Sequence, residues 1–183
     1  VDEEDGGWFS TTGEDPTVLL RLKEDYDGAE PSAGSVTVGN LLTLAHLCGA
    51  EEAVDDGDRI ERALRRLGSS PREARVIPMM MAAASTYLAG IPQVIIVGAR
   101  NTAGTIALHR QFIRCFLPGA VSLVAEPGGH HAALVERLPW LGTMVATDGK
   151  PTAYLCRGFT CQEPASDPDL FRDQLVGLAE IAG

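Results

Sequence analysis

"PQVIIVGARNTAGTIALHRQFIRCFLPGAVSLVAEP", residues 92–127, decides the character of the second half of the chain. Residues 92–98, "PQVIIVG", form a continuous β-branched run of strand length, too short for a buried helix. "NTAGTIALHRQFIRCF" then places Leu108, Phe112 and Phe116 at i, i+4 and i+8, one face of a helix. "AVSLVAEP" (120–127) reads as a second buried strand. Strand, helix and strand at this spacing predict a βαβ unit with a parallel sheet. A helix near His131–Leu138, a third strand "TAYLC" (152–156) and a closing helix from Pro168 to Ile181, capped by Asp167, complete it. Residues 91–183 are therefore expected to form a small α/β subdomain with a short parallel sheet.

Upstream of this stretch the periodicity is helical. Val38, Leu41, Leu42, Ala45 and Cys48 fall at helical spacing and end at Gly49. A second, amphipathic helix is predicted over about Glu51–Leu67, and a third over about Pro71–Leu88, broken or bent at Pro78. Met79, Met80 and Met81 read as core filler. Before the helices, "GGWFSTTGEDPTVLLRLKED" reads as a hairpin: a strand at Trp8–Thr11, a turn through "GEDP", and a return strand from Thr17. Alternation there assigns Val18, Leu20 and Leu22 to the buried face and Arg21, Lys23, Asp25 and Asp27 to the polar one. The expected fold class is α+β, with a helical part over residues 1–90.

The chain has 183 residues, enough to bury roughly 70% of its unfolded surface. Its net charge is −10, with 15 acidic and 3 basic groups in residues 1–60 against 5 and 10 in residues 61–150. An acidic total argues against a nucleic-acid backbone as the partner, since that needs clustered Lys and Arg. The arginines of "RIERALRRLGSSPREAR" are accounted for by a solvated helical face. No membrane span is expected, because no stretch reaches the 18 or so apolar residues required. No signal-peptide pattern opens the chain, and a soluble, intracellular or organellar setting is expected rather than a secreted one. The start at Val1 reads as a segment of a longer protein.

Few residues carry a chemical signature. "GARNTAG" matches neither dinucleotide nor phosphate-loop spacing, and no cofactor is expected. His130 and His131 are adjacent and point about 100° apart on a helix, so no metal site is expected either. Cys48 and Cys115 read as buried free thiols. Cys156 and Cys161 come within disulfide range if the chain turns at Gly158; a structural pair of thiols or a structural disulfide is favoured over a redox pair, which stays open. The densest polar stretch is "KEDYDGAEPSAGS", residues 23–35, with four carboxylates, a lysine and serines entering a helix. Amides at a helix N-terminus keep nearby carboxylates ionised, as bases or cation partners rather than proton donors. A charged loop with a Lys23 salt bridge explains the same residues.

"GGWFSTTGEDPTVLLRLKEDYDGAEPSAGSVTVGNLLTL" and "KPTAYLCRGFTCQEPASDPDLF" resemble the C-terminal region of the thioredoxin-domain-containing family that includes spermatogenesis-associated protein 20. The resemblance runs in order over nearly the whole chain. It implies a thioredoxin-like domain, outside this chain, fused to an (α/α)6 toroid of the N-acylglucosamine 2-epimerase and six-hairpin glycosidase type. Residues 1–90 would then be the hairpin and closing helices of that toroid. Loops at one end of such toroids line a sugar-binding cavity. The resemblance therefore implies Asp25, Asp27 and Glu30 as catalytic candidates and Lys23, Tyr26, Ser32 and Ser35 as substrate-binding ones. The implied partners are the N-terminal remainder of the same protein and a small sugar. The fragment alone lacks the acid and base on opposite sides of a substrate that sugar chemistry needs. The alternative is a non-catalytic interaction or structural module within a larger assembly.

Overall fold

The computed structural model describes residues 1–48, 54–67, 73–158 and 160–182. The chain divides into two compact units, residues 1–45 with 50–88 and residues 46–49 with 89–183. The fold is mixed α and β: six helices and a four-stranded mixed sheet among the described residues.

In the first unit, helix α1 (Ala33–Cys48) carries Ser35, Val38 and Leu42 inward. Helix α2 (Val54–Leu67) is strongly amphipathic and buries Ile60 and Ala63. A single 3-10 turn (Glu73–Val76) precedes α3 (Pro78–Ala89). Pro78 opens α3 as its first residue, where its missing N–H costs nothing, so the expected break at this proline is present. Of the three methionines only Met80 is core; Met79 and Met81 are exposed. The starts expected at Glu51 and Pro71, and the cap at Gly49, lie outside the described residues.

The expected N-terminal hairpin is absent. No strand forms before α1; the Ser10 amide and hydroxyl donate to the Leu22 carbonyl at 2.8 and 3.0 Å, and the Arg21 side chain reaches Phe9 and Thr11. The faces are also inverted. Arg21, Lys23 and Asp25 are half-buried and Asp27 is buried, whereas Leu20 and Leu22 stand 73% and 60% exposed. Val18 is half-buried and Leu19 exposed, so a period of two holds only over residues 20–27, and there the inward side is the charged one, because each of its groups finds a partner inside the unit.

In the second unit, strands β1 (Pro92–Val97), β2 (Val121–Ala125), β3 (Thr152–Arg157) and β4 (Thr160–Cys161) lie in the order β2-β1-β3-β4. Helix α4 (Ala103–Arg114) links β1 to β2, which pair in parallel as expected. The third strand departs from expectation: β3 runs antiparallel to β1 over six residues, so the sheet is mixed rather than parallel. The cause is local. Asp148 and Gly149 have φ of 52° and 71°, and the Lys150 amide donates to the Thr147 carbonyl at 2.9 Å. Positive φ at both central residues is the Asp-Gly hairpin turn, which reverses the chain directly into β3.

β1 is buried at every position, and its side chains alternate between two apolar layers. Val94 and Ile96 join Leu155, Leu108 of α4, and Phe171, Leu175 and Leu178 of helix α6 (Pro168–Ala182). Ile95 and Val97 join Tyr154, Cys156, Leu141 and Met144 on the other face. That face is packed by Leu134 and Val135 of helix α5 (Gly129–Arg137) and by Trp140 of a 3-10 turn (Pro139–Thr143). His46 and Leu47 belong to this same unit: Gln93, 1% exposed, donates to the His46 carbonyl at 2.7 Å, and the Trp140 indole to that of Leu47 at 2.9 Å.

Candidate functional site

Residues 21–27 run extended, with Arg21, Lys23, Asp25 and Asp27 facing into the first unit. Arg21 lies 3.9 Å from the Phe9 ring centroid and donates to the Thr11 carbonyl at 3.0 Å. The Lys23 ammonium binds Asp2 at 2.6 Å, Asp5 at 3.2 Å and the Gly6 carbonyl at 2.9 Å. Asp2 is held down at about 2, chiefly by its hydrogen bond from Lys23 and by the Asp5 amide. Asp25 pairs with Arg66 of α2, which also pairs with Asp5. The Asp25 hydrogen bond is the largest cause raising the Arg66 pKa, so the cation is permanent.

Asp27 holds the most structured position. Its Oδ1 accepts from the Ser32 amide at 2.8 Å, and its Oδ2 from the Met79 and Met80 amides at 2.8 and 3.3 Å. Those two amides belong to the first turn of α3, which is preceded by Ile77, a residue with no side-chain acceptor. Asp27 therefore caps a helix whose bonded amides lie 52 and 53 positions away in sequence, and its own amide donates to the Val76 carbonyl at 2.7 Å. Burial opposes ionisation of the carboxyl, but the Ser32, Met79 and Met80 amides and the Ser35 hydroxyl outweigh it and hold the pKa below 3.8.

Ser32 and Ser35 are buried and serve the start of α1. The Ser35 amide donates to the Ser32 hydroxyl at 3.1 Å, which donates in turn to the Ser35 hydroxyl at 2.8 Å. Tyr26 and Glu30 are exposed. The seven candidates thus separate into three groups: Asp27, Ser32 and Ser35 form one buried hydrogen-bonded cluster, Lys23 and Asp25 join an ionic seam, and Tyr26 and Glu30 face solvent. Asp27 has both oxygens occupied by backbone amides, an arrangement that suits a cap better than a proton acceptor for substrate.

Arg66 and Arg62, read from the sequence as part of a solvated face, form ion pairs with residues 3, 5 and 25. Arg62 pairs with Glu3 at 3.1 Å, and the two arginines sit four apart on one side of α2. The contrast between an acidic front and a basic middle of the sequence was the available signal. Asp58, Glu61, Arg62 and Arg65 line a shallow depression of about 360 Å³ on α2. No group of three or more His, Cys, Asp or Glu able to hold a metal occurs among the described residues.

In the second unit, Cys156 and Cys161 are directly opposed on β3 and β4 and joined by a disulfide, with Cα atoms 3.9 Å apart. Cys48 and Cys115 are free and half-buried; desolvation raises the Cys115 thiol pKa. No described helix is long and apolar enough to cross a membrane.

No family model and no solved structure matches the chain. Curated relatives do. Spermatogenesis-associated protein 20 of Homo sapiens is 34% identical over 171 residues, and its counterparts in Rattus norvegicus and Mus musculus are 33% and 32% identical over the same length. Each alignment takes in 91% of this chain and 21% of the relative. The chain is homologous to spermatogenesis-associated protein 20 over nine-tenths of its own length, while spanning about a fifth of that protein's.

Proposed function

We propose that this chain acts as a docking segment of a larger protein related to spermatogenesis-associated protein 20, and that its first unit completes a helical toroid there. The observation that carries this is Leu19, Leu20 and Leu22, three leucines in four positions that stand 99%, 73% and 60% exposed. Tyr26, Leu88 and Met79 add 62%, 83% and 45%. A local run of exposed leucines beside a charged interior is the reverse of a solvated loop, and such runs mark surfaces that meet another surface. The span of about a fifth of the relatives supplies the occupant: the remainder of the longer chain. In the longer protein, Leu19→Glu with Leu20→Glu should give a soluble segment that no longer protects its surroundings from limited proteolysis. An unchanged digestion pattern would rule the docking role out.

The second reading is that this segment lends one wall to a carbohydrate-binding cavity of the assembled protein. It is favoured by Tyr26 and Glu30, an aromatic ring and a carboxylate, both exposed at the end of the ionic seam. The roles within it follow position: Tyr26 stacks on a sugar, Glu30 accepts from its hydroxyls, and Asp25 and Lys23 hold the strand. Asp27, Ser32 and Ser35 position the loop and take no part in proton transfer. Calorimetry of the longer protein with N-acetylglucosamine is the test, with Tyr26→Ala and Glu30→Gln expected to weaken binding at least several-fold. Equal affinity in both variants would remove the sugar reading and leave the docking role standing.

A further inference from the structure

We propose that Cys156 and Cys161 form a thiol–disulfide exchange site, opened by a dithiol reductant and reclosed on the same sheet edge. Three observations carry this. The two residues face each other in register across β3 and β4, five positions apart in sequence. A bond that closes so short a loop removes little freedom from the unfolded chain compared with one that closes a long loop.

The backbone around the pair is secured without the bond. The Gln162 amide donates to the Leu155 carbonyl at 2.9 Å, and Ala153 and Ala165 exchange both hydrogen bonds at 2.8 and 2.9 Å. The Gln174 side chain holds the Glu163 carbonyl at 2.8 Å, and β3 pairs with β1 along its whole length. Opening the bond therefore leaves the two thiols opposite each other. That is the requirement for reversible closure.

The pair is also asymmetric. Cys161 is exposed at the sheet edge, while Cys156 is 2% exposed within the apolar layer of Ile95, Val97 and Tyr154. Attack is directed by access. A thiolate of the reductant attacks Sγ of Cys161; the Sγ–Sγ bond breaks and its electron pair goes to Sγ of Cys156, which takes a proton from solvent. The second thiol of the reductant then attacks its own sulfur in the mixed disulfide, releasing the Cys161 thiolate, which is protonated in turn. The reductant leaves as a disulfide, having lost two electrons, and the pair has gained two electrons and two protons. In a reducing compartment the pair rests open, in an oxidising one closed.

The unaltered chain is incubated with dithiothreitol at pH 8 without denaturant, quenched with iodoacetamide and mapped by peptide mass spectrometry. Both Cys156 and Cys161 are expected to become alkylated while the near-ultraviolet circular dichroism keeps its native form. Removing dithiothreitol and adding oxidised glutathione should restore the bond. With glutathione disulfide, Cys156→Ser should trap a mixed disulfide at Cys161 about tenfold faster than Cys161→Ser traps one at Cys156. A pair that resists dithiothreitol until denaturant is added overturns the proposal. So does reduction that abolishes the near-ultraviolet signal, since the bond is then a staple.

Discussion

At the scale of single residues, Asp27 shows how a carboxylate that looks catalytic in sequence is engaged by backbone. Two amides of α3 and that of Ser32, the residue before α1, converge on it, and Ile77 offers no cap of its own. Asp27→Ala should destabilise the first unit by about 2 to 3 kcal/mol, combining a lost cap with amides left buried; Asp27→Asn should cost less. Chemical denaturation followed by circular dichroism measures both. The pH dependence follows from the direction of the shift. The folded carboxyl titrates below its ordinary value of 3.8, so its stabilisation is complete above that value and is lost as pH falls through the lower folded one. Asp27→Asn should therefore flatten the acid limb of the stability profile, and an unchanged limb would show that other carboxylates dominate it. Lys23, whose side chain is 10% exposed and shared by Asp2, Asp5 and the Gly6 carbonyl, makes a separate prediction. Lys23→Met should release residues 1–7 and raise their amide hydrogen exchange, with little effect on the second unit.

Among the elements, close approach at the end of β1 is the most constrained contact. A Cβ on Gly98 would lie 2.4 Å from Thr105 Oγ1 and 2.8 Å from Pro151 Cβ, so the first turn of α4 and the entry to β3 both press on this backbone. Gly98→Ala should cost about 1 to 3 kcal/mol by overpacking, read as a lower melting temperature. The turn at the entry to β3 is equally local. Asp148 and Gly149 both adopt positive φ, and Gly149→Val should weaken the hairpin and the β1 to β3 pairing more than Lys150→Ala does. Hydrogen exchange of β3 amides distinguishes the two.

For the whole molecule, order is distributed unevenly. β1 is buried at all six positions between two partner strands, whereas residues 1–32 contain no helix or strand and rest on ionic and side-chain contacts. Native-state hydrogen exchange should find its slowest amides in β1 and its fastest before α1, because local opening is cheapest where backbone bonds are few. The inverted strand face joins this gradient to the proposed role. A segment that turns its charges inward and its leucines outward gains stability once another surface covers the leucines.

The sequence by itself determined the elements whose signal is local: the β-branched run of β1, the 3.6-residue spacing of α4, the break at Pro78 and the period-2 alternation of residues 20–27. The Asp-Gly turn at 148–149, which leads into β3, was also legible there; the antiparallel pairing of β3 with β1 was not. What only the tertiary structure decided were the pairings between distant residues: Asp27 with Met79 and Met80, Arg66 with Asp5 and Asp25, and the charged side of residues 21–27 turned inward. Alternation specifies that a strand has two faces. Which face is buried depends on the partners that folding brings to it, and here those partners are backbone amides and carbonyls, the carboxylates of Asp2 and Asp5, Arg66 and the Phe9 ring.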